Sequence, residues 1–150
     1  MKKGIITLFC CCMLAGAMAQ TAAEYIAQGK AKYAKSDFSG AKLDHNKAIE
    51  LDPQNATAYF ERGNLKAELM DYDKAILDYT EAIKLDPKYL QAYNARGLAK
   101  ANLQDYTGAV ADYDKAIEID PKSPKAYYNR GFIKYKKGDK DGACADWTKS

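Results

Sequence analysis

The sequence predicts an all-α repeat array: about 3.8 copies of a 34-residue unit, each unit carrying two helices. Three observations predict it. The phrase YFERG at Tyr59–Gly63 returns as YNARG at Tyr93–Gly97 and YYNRG at Tyr127–Gly131, with a fainter copy, YIAQG, at Tyr25–Gly29. Apolar and small residues recur at steps of three and four, as in Tyr93, Gly97, Leu98 and Ala101, which is helical spacing. All four prolines of the chain fall where such runs begin or end, and no alternating strand pattern is visible.

The first nineteen residues stand apart from the array. Lys2 and Lys3 precede an apolar run from Gly4 to Ala17, and Ala17-Met18-Ala19 supplies small residues around a cleavage point before Gln20. This is the plan of a bacterial-type secretory signal peptide cleaved after Ala19, and it predicts an exported, periplasmic or secreted product. The run is too short to span a membrane comfortably. Of the 23 basic residues, removal of Lys2 and Lys3 would leave 21 against 20 acidic ones, with Cys144 as the one remaining thiol. No disulfide framework is then available, so stability must come from packing. Hydrophobic content of 47% with 29% charged residues argues against disorder. No basic run suggests nucleic acid as a partner.

From residue 22 the units tile without gaps as 22–55, 56–89, 90–123 and a shorter 124–150. In each, a first helical run from the Tyr is followed by a hinge: Ser36-Asp37, Met70-Asp71, Gln104-Asp105 or Gly138-Asp139. The hinge Asp is placed to accept hydrogen bonds from the free N–H groups that open the second helix. That second helix carries Ala41, Ala75, Ala109 or Ala143, and Ala48, Ala82 or Ala116 seven residues on. Complete units close with Leu51-Asp52-Pro53, Leu85-Asp86-Pro87 or Ile119-Asp120-Pro121, and proline cannot continue a helix without losing a hydrogen bond. Gly29, Gly63, Gly97 and Gly131 fall inside helices, where each costs about 1 kcal/mol relative to alanine. A close approach of the alanine column on the partner helix is the expected compensation.

At these positions the chain resembles the tetratricopeptide repeat family. The family's aromatic–Gly–Ala–aromatic–Ala–Pro pattern is met by Tyr59, Gly63, Ala75, Tyr79, Ala82 and Pro87, and again by Tyr93, Gly97, Ala109, Tyr113, Ala116 and Pro121. The first unit departs from it by placing His45 where an aromatic is expected; the fourth has Trp147 there. The resemblance implies antiparallel helix pairs stacked into a right-handed superhelical solenoid with a concave groove lined by the first helix of each pair. Arg62, Arg96 and Arg130 depart from a site often apolar in the family, with Asp78, Asp112 and Asp146 sixteen residues later. Inter-helix ion pairs are expected there, as exposed pairs contributing about 0–1 kcal/mol each.

Catalytic constellations are not legible. His45 and Cys144 lie in the first and fourth units, too far apart for a nucleophile–base pair. Each sits in a column of core residues, so both are expected to be buried and structural. No metal-ligand spacing and no phosphate-cradling glycine loop appears, so no cofactor or metal is expected. The expected function is non-enzymatic binding of a peptide or protein segment in the groove. The mapped groove presents Ile26, Lys30, Tyr33, Phe60, Glu61, Asn64 and Glu68 in its N-terminal part. Its C-terminal part presents Asn94, Leu98, Asn102, Lys125, Tyr128, Asn129, Phe132, Tyr135 and Lys136. Among these, Tyr33, Phe60, Asn64, Asn94, Lys125, Tyr128, Asn129 and Tyr135 are the candidate binding residues: amides that donate and accept, aromatic anchors, and a cation. The family's chaperone-type carboxylate clamp is not reproduced, because Phe60, Ala95 and Asn129 stand where it needs basic or amide groups. An alternative is a self-associating scaffold that uses the uncapped C-terminal helix face to form homo-oligomers.

Overall fold

The computed structural model describes residues 20–150; the leader expected over residues 1–19 lies outside the described residues. Eight helices follow one another: α1 (Ala22–Ala34), α2 (Phe38–Leu51), α3 (Ala56–Glu68), α4 (Tyr72–Leu85), α5 (Leu90–Asn102), α6 (Tyr106–Ile119), α7 (Pro124–Lys136) and α8 (Lys140–Trp147). They pack as the consecutive pairs α1–α2, α3–α4, α5–α6 and α7–α8. Each second helix packs in turn on the first helix of the next pair. No strand occurs among the described residues.

The hinges are built identically. Asp37 N–H donates to the Lys32 carbonyl and Ser36 N–H to that of Tyr33, which satisfies two of the carbonyls left open at the end of α1. The same two bonds recur with Asp71 and Met70, Asp105 and Gln104, and Asp139 and Gly138. This closure requires a left-handed residue, and Ser36, Met70, Gln104 and Gly138 adopt φ of 61°, 59°, 62° and 89°. The Asp that closes one helix also opens the next. Asp37, Asp105 and Asp139 accept from the N–H groups of Gly40, Gly108 and Gly142 at 2.9 Å. Asp71 does not cap: Lys74 stands where the other units have glycine, and the carboxylate takes the Lys74 ammonium at 2.7 Å instead. The reason is steric. A Cβ on any of those three glycines would fall inside contact distance of the capping carboxylate.

The helical glycines answer chiefly to rings, and only at Gly131 does the alanine column also come close, with the Ala143 carbonyl oxygen 3.2 Å from an added Cβ. A Cβ on Gly29 would meet the His45 ring at 2.5 Å, on Gly63 the Tyr79 ring at 2.7 Å, and on Gly97 the Tyr113 ring at 2.9 Å. At Gly131 it would meet the Trp147 indole at 2.7 Å. Each unit thus lays one flat ring against a bare stretch of backbone. The alanine columns serve a separate purpose: Ala41, Ala48, Ala75, Ala82, Ala109, Ala116 and Ala143 are fully buried. Between units, Ile83 of α4 meets Ala92 of α5, and Tyr113 of α6 meets Ile133 of α7.

The arginine–aspartate pairs are not surface decoration. Asp78, Asp112 and Asp146 are only 3–4% exposed. Each receives a two-pronged guanidinium, at 2.9 and 2.8 Å from Arg62, 3.0 and 2.6 Å from Arg96, and 2.8 and 2.6 Å from Arg130. A lysine one turn beyond the Arg completes the site: Lys66, Lys100 or Lys134 at 2.6, 2.8 or 2.9 Å. The third guanidinium nitrogen reaches back to the preceding unit, to Asn46, Thr80 or Asp114. Each guanidinium also lies 5.5–5.6 Å from the ring centroid of Tyr59, Tyr93 or Tyr127. Burial alone would raise the carboxyl of Asp146, but Arg130 and Lys134 outweigh it and hold the group below the usual carboxylate range. The first unit has Gln28 in place of the Arg, and Asp44 keeps only Lys32, at 2.7 Å.

Candidate functional site

The first helix of each pair turns one face inward, and two cavities lie along that face. The first, of about 520 Å³, is lined from α1 and α3 by Lys30, Tyr33, Glu61 and Glu68, from α5 by Asn94, Leu98 and Asn102, and from α7 by Lys125. The second, of about 300 Å³, lies between α5 and α7, with Leu98, Asn102, Tyr128, Asn129, Phe132 and Lys136 in its walls. Leu98 and Asn102 belong to both, so the two adjoin across α5 and together make a trough.

The candidate residues divide between them. Tyr33, Asn64, Asn94 and Lys125 line the first cavity, and Tyr128 and Asn129 the second. Phe60 and Tyr135 line neither. Phe60 packs on Tyr79 and Tyr89, with ring centroids 5.9 and 5.0 Å away, and Tyr135 lies 5.9 Å from Trp147. Ile26 is buried in the core with Ala48 and Ala58. Asn94 is 4% exposed; its Nδ2 donates to the Leu90 carbonyl at 3.1 Å, while its Oδ1 has no partner among the described residues. Tyr72 and Tyr106, which open α4 and α6, also line the trough. The expectation that first helices alone would line it missed them. The available signal was an aromatic directly after the hinge Asp in three units: Phe38, Tyr72 and Tyr106.

The wall of the first cavity is a hydrogen-bonded relay. The Tyr79 hydroxyl donates to Asn64 Oδ1 at 3.0 Å, and Asn64 Nδ2 donates to Glu61 at 3.3 Å. Glu61 takes the Lys30 ammonium at 2.8 Å, which raises the lysine above its ordinary value. Burial pushes the Tyr79 and Tyr113 hydroxyls well up, so both stay protonated donors at any physiological pH. The second cavity is different in character. Leu98, Tyr128 and Phe132 are 51%, 57% and 46% exposed, and they converge on it. About half of the surface of each is left free.

His45 is buried, as its column predicts, and also borders the first cavity. Burial lowers its imidazole below the ordinary value; Glu61 and Asp44 pull it up by less, and Arg62 and Lys30 push it further down. The sign follows. Above about pH 6.5 both folded and unfolded chains hold a neutral imidazole. Below it the unfolded chain takes a proton that the folded one resists, so stability falls as pH drops. The expected slope reaches at most about 1.4 kcal/mol per pH unit until the folded value is passed. Urea titrations between pH 7 and pH 5 should show it, and His45→Phe should remove it while keeping a ring against Gly29. An unchanged slope in the variant would place the titration elsewhere.

Cys144 is exposed, against the burial its column implied, because the short α8 has no following helix over that face among the described residues. No group of three or more His, Cys, Asp or Glu that could hold a metal ion occurs among the described residues. No helix there is long and apolar enough to cross a membrane.

Family models agree with this architecture. One described as TPR repeat matches residues 29–69 and 101–138, more than half of the chain, and one described as tetratricopeptide repeat matches 56–89. The chain belongs to the tetratricopeptide repeat family. Its fold is accordingly that of a right-handed solenoid of antiparallel helix pairs. The crystal structure of MamA is similar with a TM-score of 0.80 at 26% identity, over 85% of this chain and 75% of that one. The TPR domain of Arabidopsis OM64 has a TM-score of 0.74 at 28% identity, over 77% and 96%. The second TPR domain of human RPAP3, solved in complex with the HSP70 peptide SGPTIEEVD, has a TM-score of 0.72 at 25% identity, over 75% and 94%. No curated protein matches the sequence significantly.

Proposed function

We propose that this tetratricopeptide repeat chain is a non-enzymatic, exported interaction module that binds an extended polypeptide segment in its trough. The observation that carries this reading is the convergence of Leu98, Tyr128 and Phe132, all half-exposed, on one cavity that adjoins a polar one. Exposed apolar residues gathered in a concavity and rimmed by amides and lysines are what a partner side chain needs to leave water. The similar RPAP3 domain holds a peptide, which supports the same use of the fold. Export is supported by the leader pattern: Lys2-Lys3, the apolar run and Ala17-Met18-Ala19.

Photo-crosslinking in the native host tests the reading. A benzoylphenylalanine at position 98 or 132 should capture polypeptide, whereas one at Leu77, 66% exposed on α4 and lining neither cavity, should not. Equal capture at position 77 would remove the trough as the binding face. Mass spectrometry of the same purified protein should find its N-terminus at Gln20; an intact Met1 would remove the export assignment.

A further inference from the structure

One position of the repeat, the last residue of each first helix, changes its charge systematically along the array. It is Ala34, then Glu68, Asn102 and Lys136, each 34 residues after the last. The three polar members are all exposed, and all line the trough: Glu68 and Asn102 the first cavity, Asn102 and Lys136 the second. Glu68 accepts the Tyr33 hydroxyl at 3.2 Å, which holds its carboxylate in place without neutralising it. Lys136 lies over the Phe132 ring, 5.5 Å from its centroid. Neither takes part in an ion pair among the described residues, whereas Lys30 and Glu61 are spent on each other. The second cavity has Lys136 as its one charged wall residue and no acid.

Resting on the trough reading above, we propose that the occupant is an internal, charge-bipolar segment: a basic side chain meets Glu68 and an acidic one meets Lys136. A bulky apolar side chain between them fills the space between Leu98 and Phe132. Opposite charges at the two ends of one lip favour opposite charges in the segment and disfavour like ones. The spacing follows from the repeat. Two steps between neighbouring first helices, at roughly 10 Å each, separate Glu68 from Lys136 by roughly 20 Å. An extended chain rising about 3.3 Å per residue covers that in about six residues.

The test uses fluorescein-labelled synthetic peptides with one central Phe in a Gly/Ser background, titrated into the full chain at low salt. The probes carry Lys and Glu about six residues apart, Lys and Lys, Glu and Glu at the same spacing, or Lys and Glu about three apart. The wide Lys/Glu peptide should bind about fivefold more tightly than the others, with the advantage lost at high salt. Glu68→Lys makes the lip wholly basic and should transfer the preference to the Glu/Glu peptide. Lys136→Glu should transfer it to Lys/Lys. Both positions are exposed, so circular dichroism should show the fold intact. Equal affinity for all peptides, no binding of any, or a preference unmoved by Glu68→Lys would each overturn the charge row. In those cases the crosslinking at positions 98 and 132 still decides the trough reading separately.

Discussion

Asp112→Ala should cost about 3–5 kcal/mol of folding stability, enough to unfold much of the array at room temperature. The magnitude follows from what is left behind. Asp112 is 4% exposed at its side chain, and Arg96 and Lys100 around it are 15% and 20% exposed. Removing the carboxylate leaves two nearly dry cations with no counter-charge, and the guanidinium fork loses both of its bonds. The control is Lys47→Ala. It breaks a pair of similar length, 2.8 Å, whose partners are 48% and 65% exposed, and it should change stability by less than about 0.5 kcal/mol. Urea denaturation of the two variants compares them directly. Equal costs would mean that water reaches the Asp112 site and that its burial is energetically empty.

Gly63→Ala should destabilise, by about 1–3 kcal/mol, even though alanine is the better helix former by about 1 kcal/mol. The added methyl would lie 2.7 and 2.8 Å from carbons of the Tyr79 ring. That ring cannot retreat: it is 2% exposed, it packs beside Phe60, and its hydroxyl is tied to Asn64. If the collision is the cause, shortening the ring should relieve it. Tyr79→Val alone is destabilising by loss of packing, but Gly63→Ala in the Tyr79→Val background should be neutral or stabilising. Additive losses in the double variant would show that the glycine answers to something other than the ring.

The all-helical architecture was legible because periodicity is a backbone property repeated four times, so noise in one copy is corrected by the others. The hinge Asp caps were legible for the same reason, and failed only at Asp71, where Lys74 replaces the glycine that makes room for the carboxylate. Partner assignment was not legible. Gly63 has both Ala75 and Tyr79 on the facing helix at helical spacing, and sequence alone cannot say which of two side chains one turn apart lies against it. Burial of Asp78, Asp112 and Asp146, and partial burial of Arg62, Arg96 and Arg130, was hidden because a charged residue reads as surface. The clue lay in the fixed sixteen-residue interval to Asp78, Asp112 and Asp146, read together with a lysine at a second constant offset. Cys144 failed in the opposite way: its column is covered in Ile76 and Val110 by the helices that follow, and α8 has none after it among the described residues. Of the residues mapped to the groove, Asn64 and Lys125 lie in the walls of the first cavity and Tyr128 and Asn129 in those of the second. The sequence could not show that Asn94 ties its Nδ2 to the Leu90 carbonyl and leaves its Oδ1 without a partner among the described residues.

The backward reach of each guanidinium has a consequence for how the molecule comes apart. Arg62 leans on Asn46, Arg96 on Thr80 and Arg130 on Asp114, so each of the first three units is fastened by a residue belonging to the one after it. Linear arrays can unravel from an end, one unit at a time, when the links between units are weak beside the units themselves. Here the link and the interior of the unit share one side chain. Melting the third unit frees Arg96, and with it the fastening of the second. The four units should therefore behave less like beads that detach singly than like a zipper whose teeth are shared, and calorimetry should show one collective transition, with separate transitions for the terminal units counting against it.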